Sequence, residues 1–243
     1  MIDLHCHLLP GIDDGPKDLA SALDLCRHAV KCGIQYAVTT PHITPGRYEN
    51  TLASITEAYH AFKTELDEAE IPLILGMAAE VRLDPVILDL VKQDNIPYLG
   101  EYQGDKLILL EFPHSSIPPG SEELVKWLLN EGIRPVIAHP ERNKDLQRRL
   151  SKINPFLEAG CLLQITAGSL TGVFGDSSRK RAIQLLKNGV VSIIASDAHN
   201  LHSRVPDIEP GRQVAAEIVG EKESWAMVRD RPAEIAAMHF QVD

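Results

Sequence analysis

The chain has 243 residues, of which 44% are hydrophobic, and a formal net charge of −10. This length suits one α/β domain with a substantial core, so we expect a single domain over residues 1–243. The acidic charge and the lack of any Lys or Arg run argue against nucleic acid or an anionic membrane surface as a partner. We expect no signal peptide and no membrane insertion, and the four cysteines, which form no Cys-x-x-Cys pair, favour a reduced, cytoplasmic protein.

Apolar strand patterns alternate with helical patterns along the chain. Strands are predicted at residues 2–7, 34–40, 72–81, 106–112, 134–138, 161–166 and 190–195. Helices are predicted between them at residues 18–32, 51–69, 84–93, 122–130, 154–159 and 177–187, and residues 211–238 are mostly helical. Repeated strand–helix units of this kind predict an α/β fold with parallel strands.

Potential metal ligands occur together in the first strand and in the turn after it. His5 and His7 are two residues apart, so their side chains point to the same face of a strand. The following loop carries Asp13 and Asp14, which add carboxylate oxygens to the two imidazoles. The alternative interpretation is a pair of core histidines before an acidic turn, and the recurrence of similar donors on later strands counts against it.

Donors of the same kinds lie at the ends of later strands. The full set is His5, His7, Asp14, His42, Glu80, Glu111, His139, Asp197 and His199. In α/β barrels the carboxyl ends of the strands converge on one site, whereas an open sheet gathers ligands mainly at its switch point. Donors on six of the seven predicted strands therefore favour a distorted (β/α)7 barrel. The remaining histidines that we considered are interpreted as ordinary helix or loop residues: His28, His60, His202 and His239.

The chemistry of this donor set narrows the choice of metal and reaction. It combines imidazole and carboxylate without thiolate, which suits manganese, iron or zinc. Nine donors exceed the needs of one ion, and with a bridging carboxylate they suit two or three. Clustered divalent ions suit the hydrolysis of phosphate esters, because they bind phosphoryl oxygens, generate hydroxide near neutral pH and stabilise the entering and leaving oxygens.

Several short motifs resemble those of one known superfamily. The polymerase and histidinol phosphatase (PHP) superfamily has motifs similar to His5-Cys-His7, Thr40-Pro-His42, Glu80, Leu110-Glu111, Ala138-His-Pro-Glu-Arg142 and Ser196-Asp-Ala-His199. Within it, the bacterial capsule-type tyrosine phosphatases resemble this chain at Pro10-Gly-Ile-Asp-Asp-Gly15, His139-Pro-Glu-Arg142, Gln164-Ile-Thr-Ala-Gly-Ser-Leu170, Phe174-Gly175, Ser196-Asp-Ala-His-Asn200 and Arg204-Val-Pro206. The resemblance extends from residue 1 to about residue 210.

The resemblance implies a trinuclear, usually manganese-dependent site in a distorted (β/α)7 barrel. It implies that the first ion is held by His5, His7, Glu80 and Asp197, the second by Glu80, Glu111 and His139, and the third by Asp14, His42 and His199. Arg142 and Arg204 match phosphate-contacting residues of the family. Together with His42 and His199 they are the candidate catalytic residues. One departure is visible, since Ala78 stands two residues before the bridging acid, where glycine is common.

The resemblance also implies a substrate, which is phosphotyrosine on a bacterial tyrosine kinase that controls capsular or extracellular polysaccharide synthesis and export. The residues by themselves indicate only a phosphate ester at a metal cluster. Two alternatives stay open: a small-molecule phosphoesterase of the histidinol phosphatase kind, and a non-catalytic metal-binding regulator. The complete donor set and both arginines count against the regulator. The metal bound in the cell, the kinase and the oligomeric state are left open by the sequence.

Overall fold

The structure is a computed structural model that describes residues 1–240. Within these residues ten strands, β1 to β10, lie at Ile2–Cys6, Tyr36–Thr39, His42–Ile43, Ile74–Met77, Glu80–Arg82, Gly100–Tyr102, Asp105–Glu111, Ile133–Ala138, Leu162–Thr166 and Ile193–Ala195. The same residues contain eleven α-helices, α1 to α11, at Leu19–Lys31, Leu52–Glu68, Ile87–Lys92, Ser121–Asn130, Lys144–Arg148, Asn154–Glu158, Ala167–Thr171, Gly175–Lys187, Glu209–Val219, Glu221–Trp225 and Arg231–Ile235. None of the helices in this part of the chain combines the length and apolar character needed to cross a bilayer.

The first two helices begin and end where the sequence supplies caps. The Asp18 carboxylate accepts the N–H of Ser21 at the start of α1, and Thr51 and Ser54 form a reciprocal capping pair at the start of α2. Gly33 follows α1 with a φ of +83°, a left-handed conformation that glycine adopts without a Cβ clash. The helices predicted at residues 18–32 and 51–69 are therefore confirmed.

The strands pair in two sheets, and nearly all of the pairs are parallel, as the strand–helix units predict. One sheet has the order β1–β2–β4, and the other has the order β10–β9–β8–β7–β5–β3, with β6 added antiparallel to β7. The strand predicted at 34–40 is β2, and a further short strand, β3, follows it after Pro41, which cannot donate a ladder hydrogen bond. The strand predicted at 72–81 is divided in two at Ala78 and Ala79, so the prediction of one continuous strand was wrong there. After β2 and again after β4 the chain passes from the first sheet to the second.

Residues of the two sheets pack together in one apolar cluster. It contains alternate strand residues of both sheets and residues of the C-terminal helices: Ile2, Leu4, Val38, Leu107, Leu109, Val136, Ala138, Ile193, Ala195, Ile235 and Ala236. Ala78 belongs to the same cluster and is fully buried, so the alanine is accommodated. On the outer faces, Ile108, Leu110 and Ile137 pack in a larger cluster with the helices. Strands that are apolar on both faces place their polar side chains at their ends.

Among residues 1–240, strand pairing does not join the two sheets into a closed barrel. At one side the ends of β1 and β10 approach each other, where the Asp197 N–H donates to the His5 carbonyl at 2.7 Å and the His7 N–H donates to the Ala198 carbonyl at 2.8 Å. A single parallel bridge between Cys6 and Ala198 completes this contact. The structure thus has an α/β fold with two mostly parallel sheets, and the predicted barrel closure is not shown by the pairing.

Candidate metal centre

All nine predicted donors lie in one polar cluster, and seven of them stand at or after the carboxyl ends of strands. They come from the end of β1 and the loop after it, from the starts of β3 and β5, from the end of β7, and from the segments that follow β8 and β10. Eight of the nine side chains belong to buried residues, and only Asp14 is exposed. The parallel strand order therefore brings together residues that are up to 194 positions apart, from His5 to His199.

Three overlapping groups of side chains have donor atoms within 4.8 Å of one another. The groups are His5, His7, Glu80 and Asp197; His42, Glu80 and Glu111; and His7, Asp14, His42 and His199. Glu80 belongs to the first two groups and is fully buried between them. It therefore occupies the position that a bridging carboxylate would take.

His42 and His139 have contacts that the sequence did not indicate. His139 Nε2 is 2.8 Å from Glu80 Oε1, so this histidine faces the shared carboxylate but does not join Glu111 in a donor group. His42 Nδ1 is 3.1 Å from Glu80 Oε2, and its Nε2 is 3.3 Å from Asp14 Oδ1. The two nitrogens of His42 thus reach two different groups.

Several buried polar atoms of the cluster have no hydrogen-bond partner among the residues described. They are Glu80 Oε2, Glu111 Oε2, Asp197 Oδ1, His42 Nδ1 and His199 Nε2. Buried polar groups are normally paired, and carboxylate oxygens that face imidazole nitrogens are satisfied by a divalent cation. The donor set therefore fits ions that accept oxygen and imidazole ligands.

The cluster is strongly coupled electrostatically. Burial opposes the charged form of His7, but Asp13 and Glu80 raise its pKa to about 10. Burial and the Glu80 carboxylate raise the pKa of Glu111 to about 7, whereas burial and Arg142 lower the pKa of His139 to about 4. A bound cation favours ionised carboxylates and neutral imidazoles, so it would act against the shifts at His7 and Glu111.

Two residues contact the Nδ1 atoms of the imidazole rings in the first group. Asp13 Oδ2 is 2.6 Å from His7 Nδ1, and Gln164 Oε1 is 2.8 Å from His5 Nδ1. The Nε2 atoms of both histidines face Glu80 Oε2 and Asp197 Oδ1 at 3.2–3.5 Å. Sequence analysis gave neither Asp13 nor Gln164 this role, although a glutamine in a buried apolar strand is a signal that could have found the second.

A cavity of about 190 Å³ opens beside the cluster and is lined by four arginines. The predicted Arg142 and Arg204 are both here, and both guanidinium groups contact Asp197 Oδ2. The Arg142 guanidinium also lies 4.3 Å from the centre of the Phe174 ring. The structure thus brings both predicted arginines to the site, where they hold positive charge next to the donor groups.

Three further residues of this cavity were missed by sequence analysis. Arg82 Nε is 3.0 Å from Glu111 Oε2, and Arg47 and His114 line the cavity with exposed side chains. A charged residue in a loop or at a strand end is usually solvated, so the sequence carried no signal for them. A larger cavity of about 500 Å³, lined by residues 117–123, 149, 151, 152, 155 and 156, contains none of the predicted donors.

The histidines predicted to have ordinary roles lie outside the three donor groups found within residues 1–240. His60 and His202 are exposed, and His28 is half-buried on α1. His239 is also half-buried, and its ring nitrogen Nε2 lies 3.2 Å from the Leu99 carbonyl oxygen. This histidine packs against the strand segment before β6.

Parallel strands that carry shared imidazole and carboxylate donors at their carboxyl ends define a class of metal-dependent α/β enzymes. A family model described as capsular polysaccharide synthesis, CpsB/CapC, matches residues 1–237. The chain therefore belongs to the CpsB/CapC family.

Characterised relatives agree with this membership. The chain is 38% identical to the tyrosine-protein phosphatase YwqE of Bacillus subtilis (strain 168) over 205 residues, which cover 84% of this chain and 79% of the relative. It is 29% identical to the tyrosine-protein phosphatase CpsB of Streptococcus pneumoniae over 240 residues, 97% of this chain and 98% of the relative. These proteins are named tyrosine-protein phosphatases.

Solved structures show the same relationship. One comes from a study of YwqE from Bacillus subtilis and CpsB from Streptococcus pneumoniae, described as unique metal-dependent tyrosine phosphatases. It matches with a TM-score of 0.90 at 32% identity over 98% of this chain and 94% of that one. The phosphotriesterase homology protein from Escherichia coli matches with a TM-score of 0.53 at 12% identity, over 97% of both chains, which shows a shared fold alone.

Proposed function

We propose that this protein is a metal-dependent protein-tyrosine phosphatase. Its substrate in the proposal is phosphotyrosine on a bacterial tyrosine kinase that regulates capsular or extracellular polysaccharide synthesis and export. The observation that carries the proposal is the joining of donor groups through Glu80 beside an arginine-lined cavity. The names of relatives that align with 84–97% of the chain support the choice of tyrosine phosphate.

The proposed ligands follow the resemblance and divide among three ions. The first ion would be held by His5, His7, Glu80 and Asp197, the second by Glu80, Glu111 and His139, and the third by Asp14, His42 and His199. The donor groups around the first and third positions support this division, and His42 is a further candidate at the second. We propose Mn²⁺, with iron or zinc as alternatives, because the donors are imidazole and carboxylate without thiolate.

The arginines are proposed to bind the phosphoryl group. Divalent ions would supply Lewis-acid stabilisation and an activated water. Arg142 and Arg204 present planar guanidinium groups that match phosphoryl oxygens, and their shared contact with Asp197 holds them on one side of the cavity. A tyrosine oxygen is a tolerable leaving group, because a phenol has a pKa of about 10.

The proposal also covers the architecture of the two sheets and the location of the protein in the cell. We propose that the two sheets are parts of one distorted (β/α)7 barrel, a view supported by the shared interior cluster and by the contact between Cys6 and Ala198. We also propose a cytoplasmic location, supported by four free cysteines, of which Cys6, Cys26 and Cys161 are buried.

A panel of phosphate esters tests the proposed substrate. The full chain, reconstituted with Mn²⁺, is assayed for phosphate release from phosphotyrosine and phosphoserine peptides, p-nitrophenyl phosphate, a sugar phosphate and histidinol phosphate. We expect the phosphotyrosine peptides to be hydrolysed with the highest kcat/KM. Comparable turnover of the small aliphatic esters would support the alternative small-molecule phosphoesterase, and no turnover of any ester would support a non-catalytic regulator.

A further inference from the structure

The turn after β3 brings an arginine to the rim of the candidate site. The Tyr48 N–H donates to the Thr44 carbonyl at 2.8 Å, the Thr44 N–H donates to the Tyr48 carbonyl at 2.9 Å, and the Arg47 N–H donates to the Thr44 carbonyl at 3.0 Å. Arg47 is exposed, and it lines the same cavity as Arg142 and Arg204. The closed turn therefore places a third guanidinium group beside the proposed phosphate position.

The Arg47 side chain is held in place by a stack of rings. Its guanidinium carbon lies 4.8 Å from the centre of the Tyr48 ring, and the Tyr48 ring stacks on His42 at 5.4 Å with 6° between the planes. A cation over an aromatic face is attracted by the ring quadrupole. Asn50 Nδ2 donates to the His42 carbonyl at 2.9 Å and so ties this stack to the donor cluster. The Arg47 charge is consequently kept next to the cavity.

Arg47 also differs from the other cavity arginines in its charge partners. Arg142 and Arg204 contact Asp197, and Arg82 contacts Glu111. Within residues 1–240 no carboxylate oxygen lies within 4.0 Å of the Arg47 guanidinium nitrogens. In the proposed function, Arg142 and Arg204 bind one phosphoryl group. Arg47 is therefore available to a second negative group of the ligand.

We propose that Arg47 is a specificity-determining residue that binds a negative group next to the phosphotyrosine. The preferred substrate is then an acidic peptide segment, in which this group is an Asp or Glu carboxylate or a second phosphoryl group. The inference rests on the proposed function, and it adds the substrate class that this site selects. Because the contact is an exposed ion pair, it weakens as ionic strength rises.

The test compares phosphopeptides that differ only beside the phosphotyrosine. The metal-reconstituted full chain and its R47A, R47E and R27A variants are given peptides flanked by Glu, by Gln and by a second phosphotyrosine. For the unaltered protein we expect a roughly three- to tenfold higher kcat/KM on the charged peptides than on the Gln peptide, mainly through KM. R47A should bring this ratio close to one, R47E should invert it, and R27A, an exposed arginine on α1, should preserve it. The Glu and phosphotyrosine arms identify which negative group is bound.

Each outcome bears on one of the two claims. If the unaltered protein hydrolyses all three peptides with equal kcat/KM, or if R47A keeps the preference for charged peptides, the role of Arg47 is wrong while the proposed function stands. If the reconstituted protein hydrolyses neither the peptides nor p-nitrophenyl phosphate, the proposed function fails and the inference fails with it.

Discussion

The Asp13 carboxylate connects three parts of the candidate site. It lies 2.6 Å from His7 Nδ1, and it accepts the N–H of Gly15 at 2.8 Å and the N–H of His42 at 3.1 Å. A carboxylate behind an imidazole fixes the ring and makes its other nitrogen a stronger metal donor. Since Asp13 occupies Nδ1, His7 offers only Nε2, so it can serve one of the two donor groups to which it belongs.

Replacement of Asp13 by asparagine tests this positioning role. Asp13→Asn keeps the size of the side chain but removes its charge, and we expect Mn²⁺ affinity to fall roughly 10- to 100-fold. Isothermal titration of the metal-free protein measures this directly. Asp67→Asn, at an exposed position of α2, is the matched control and should leave the affinity unchanged. An unaltered affinity in Asp13→Asn would show that His7 does not depend on this contact.

Glu80 is expected to matter more for metal retention than any donor that belongs to one group. Glu80→Ala removes a carboxylate from two groups at once, so two ions lose a ligand and their mutual repulsion is less compensated. Glu111→Ala removes a donor from one group only. Elemental analysis after gel filtration should find less metal per chain in Glu80→Ala than in Glu111→Ala. Equal, near wild-type metal content in both variants would refute the bridging role.

Arg142 and Arg204 are expected to act on the substrate and not on the metals. Arg142→Ala and Arg204→Ala should each lower kcat on phosphotyrosine peptides by roughly ten- to a thousandfold, the range for loss of one transition-state donor. Lysine replacements should recover only part of the rate, because an ammonium group lacks the planar fork. Metal content and thermal unfolding serve as controls and should match the wild type. Wild-type rates in both alanine variants would mean that the arginines are merely surface residues.

At the scale of secondary structure elements, β6 and α11 pack at the start of β7, whereas the candidate site lies at its end. Gly100 and Tyr102 of β6 pair with Leu107 and Asp105, while Glu111 is the last residue of β7. Gly100 has a φ of +151°, and a Cβ atom there would lie 1.9 Å from the carbonyl oxygen of Ile235 in α11. The close approach of these two backbones thus requires a glycine.

The contact between β6 and α11 can be tested with two alanine substitutions. Gly100→Ala should lower the free energy of unfolding by about 1–3 kcal/mol more than Gly104→Ala, which is the cost of overpacking. Gly104 is a suitable control because it also has a positive φ but has space for a Cβ atom. Urea denaturation of both variants measures the difference. Equal stability would contradict the tight packing of α11 against β6.

The sequence predicts the helices and strands better than it predicts their breaks. Helical apolar spacing and continuous apolar runs are local signals, and they located α1, α2 and most strands. The short strand β3 and the break at Ala78 were missed because an apolar run does not show where the chain passes from one sheet to another. The short segment of β6 was missed because it forms only by pairing with β7.

The candidate site, like the fold, was predictable from the sequence only in part. The clustering of the nine candidate donors was predictable, because eight stand at or near the ends of predicted apolar strands and Asp14 stands in the loop after the first. The orientation of the imidazole rings and carboxylates depends on tertiary contacts. The contacts of His42 with both Glu80 and Asp14 were therefore not visible in the sequence, and neither were the contacts of Gln164 and Asp13 with the first two histidines. Arg47 and Arg82 were missed for the same reason, because only the folded chain brings them to the cavity.

At the scale of the whole molecule, the fold concentrates unlike charges at one end of the strands. The chain as a whole is acidic, with a net charge of −10, yet four arginines line the cavity beside the donor carboxylates. Carboxylates and imidazoles favour divalent cations, and guanidinium groups favour the phosphoryl group that those cations also bind. The arrangement suits a phosphate ester held between metal ions and arginines, which is the central claim about this protein.

The most direct test of that claim is the metal dependence of phosphotyrosine hydrolysis by the full chain. Phosphate release from one phosphotyrosine peptide is measured before chelation, after chelation and after Mn²⁺ is returned, with metal content determined at each stage. We predict that turnover disappears on chelation and returns together with at least two ions per chain. Turnover that persists in the metal-free protein, or a fully metal-loaded protein that releases no phosphate, would contradict the claim.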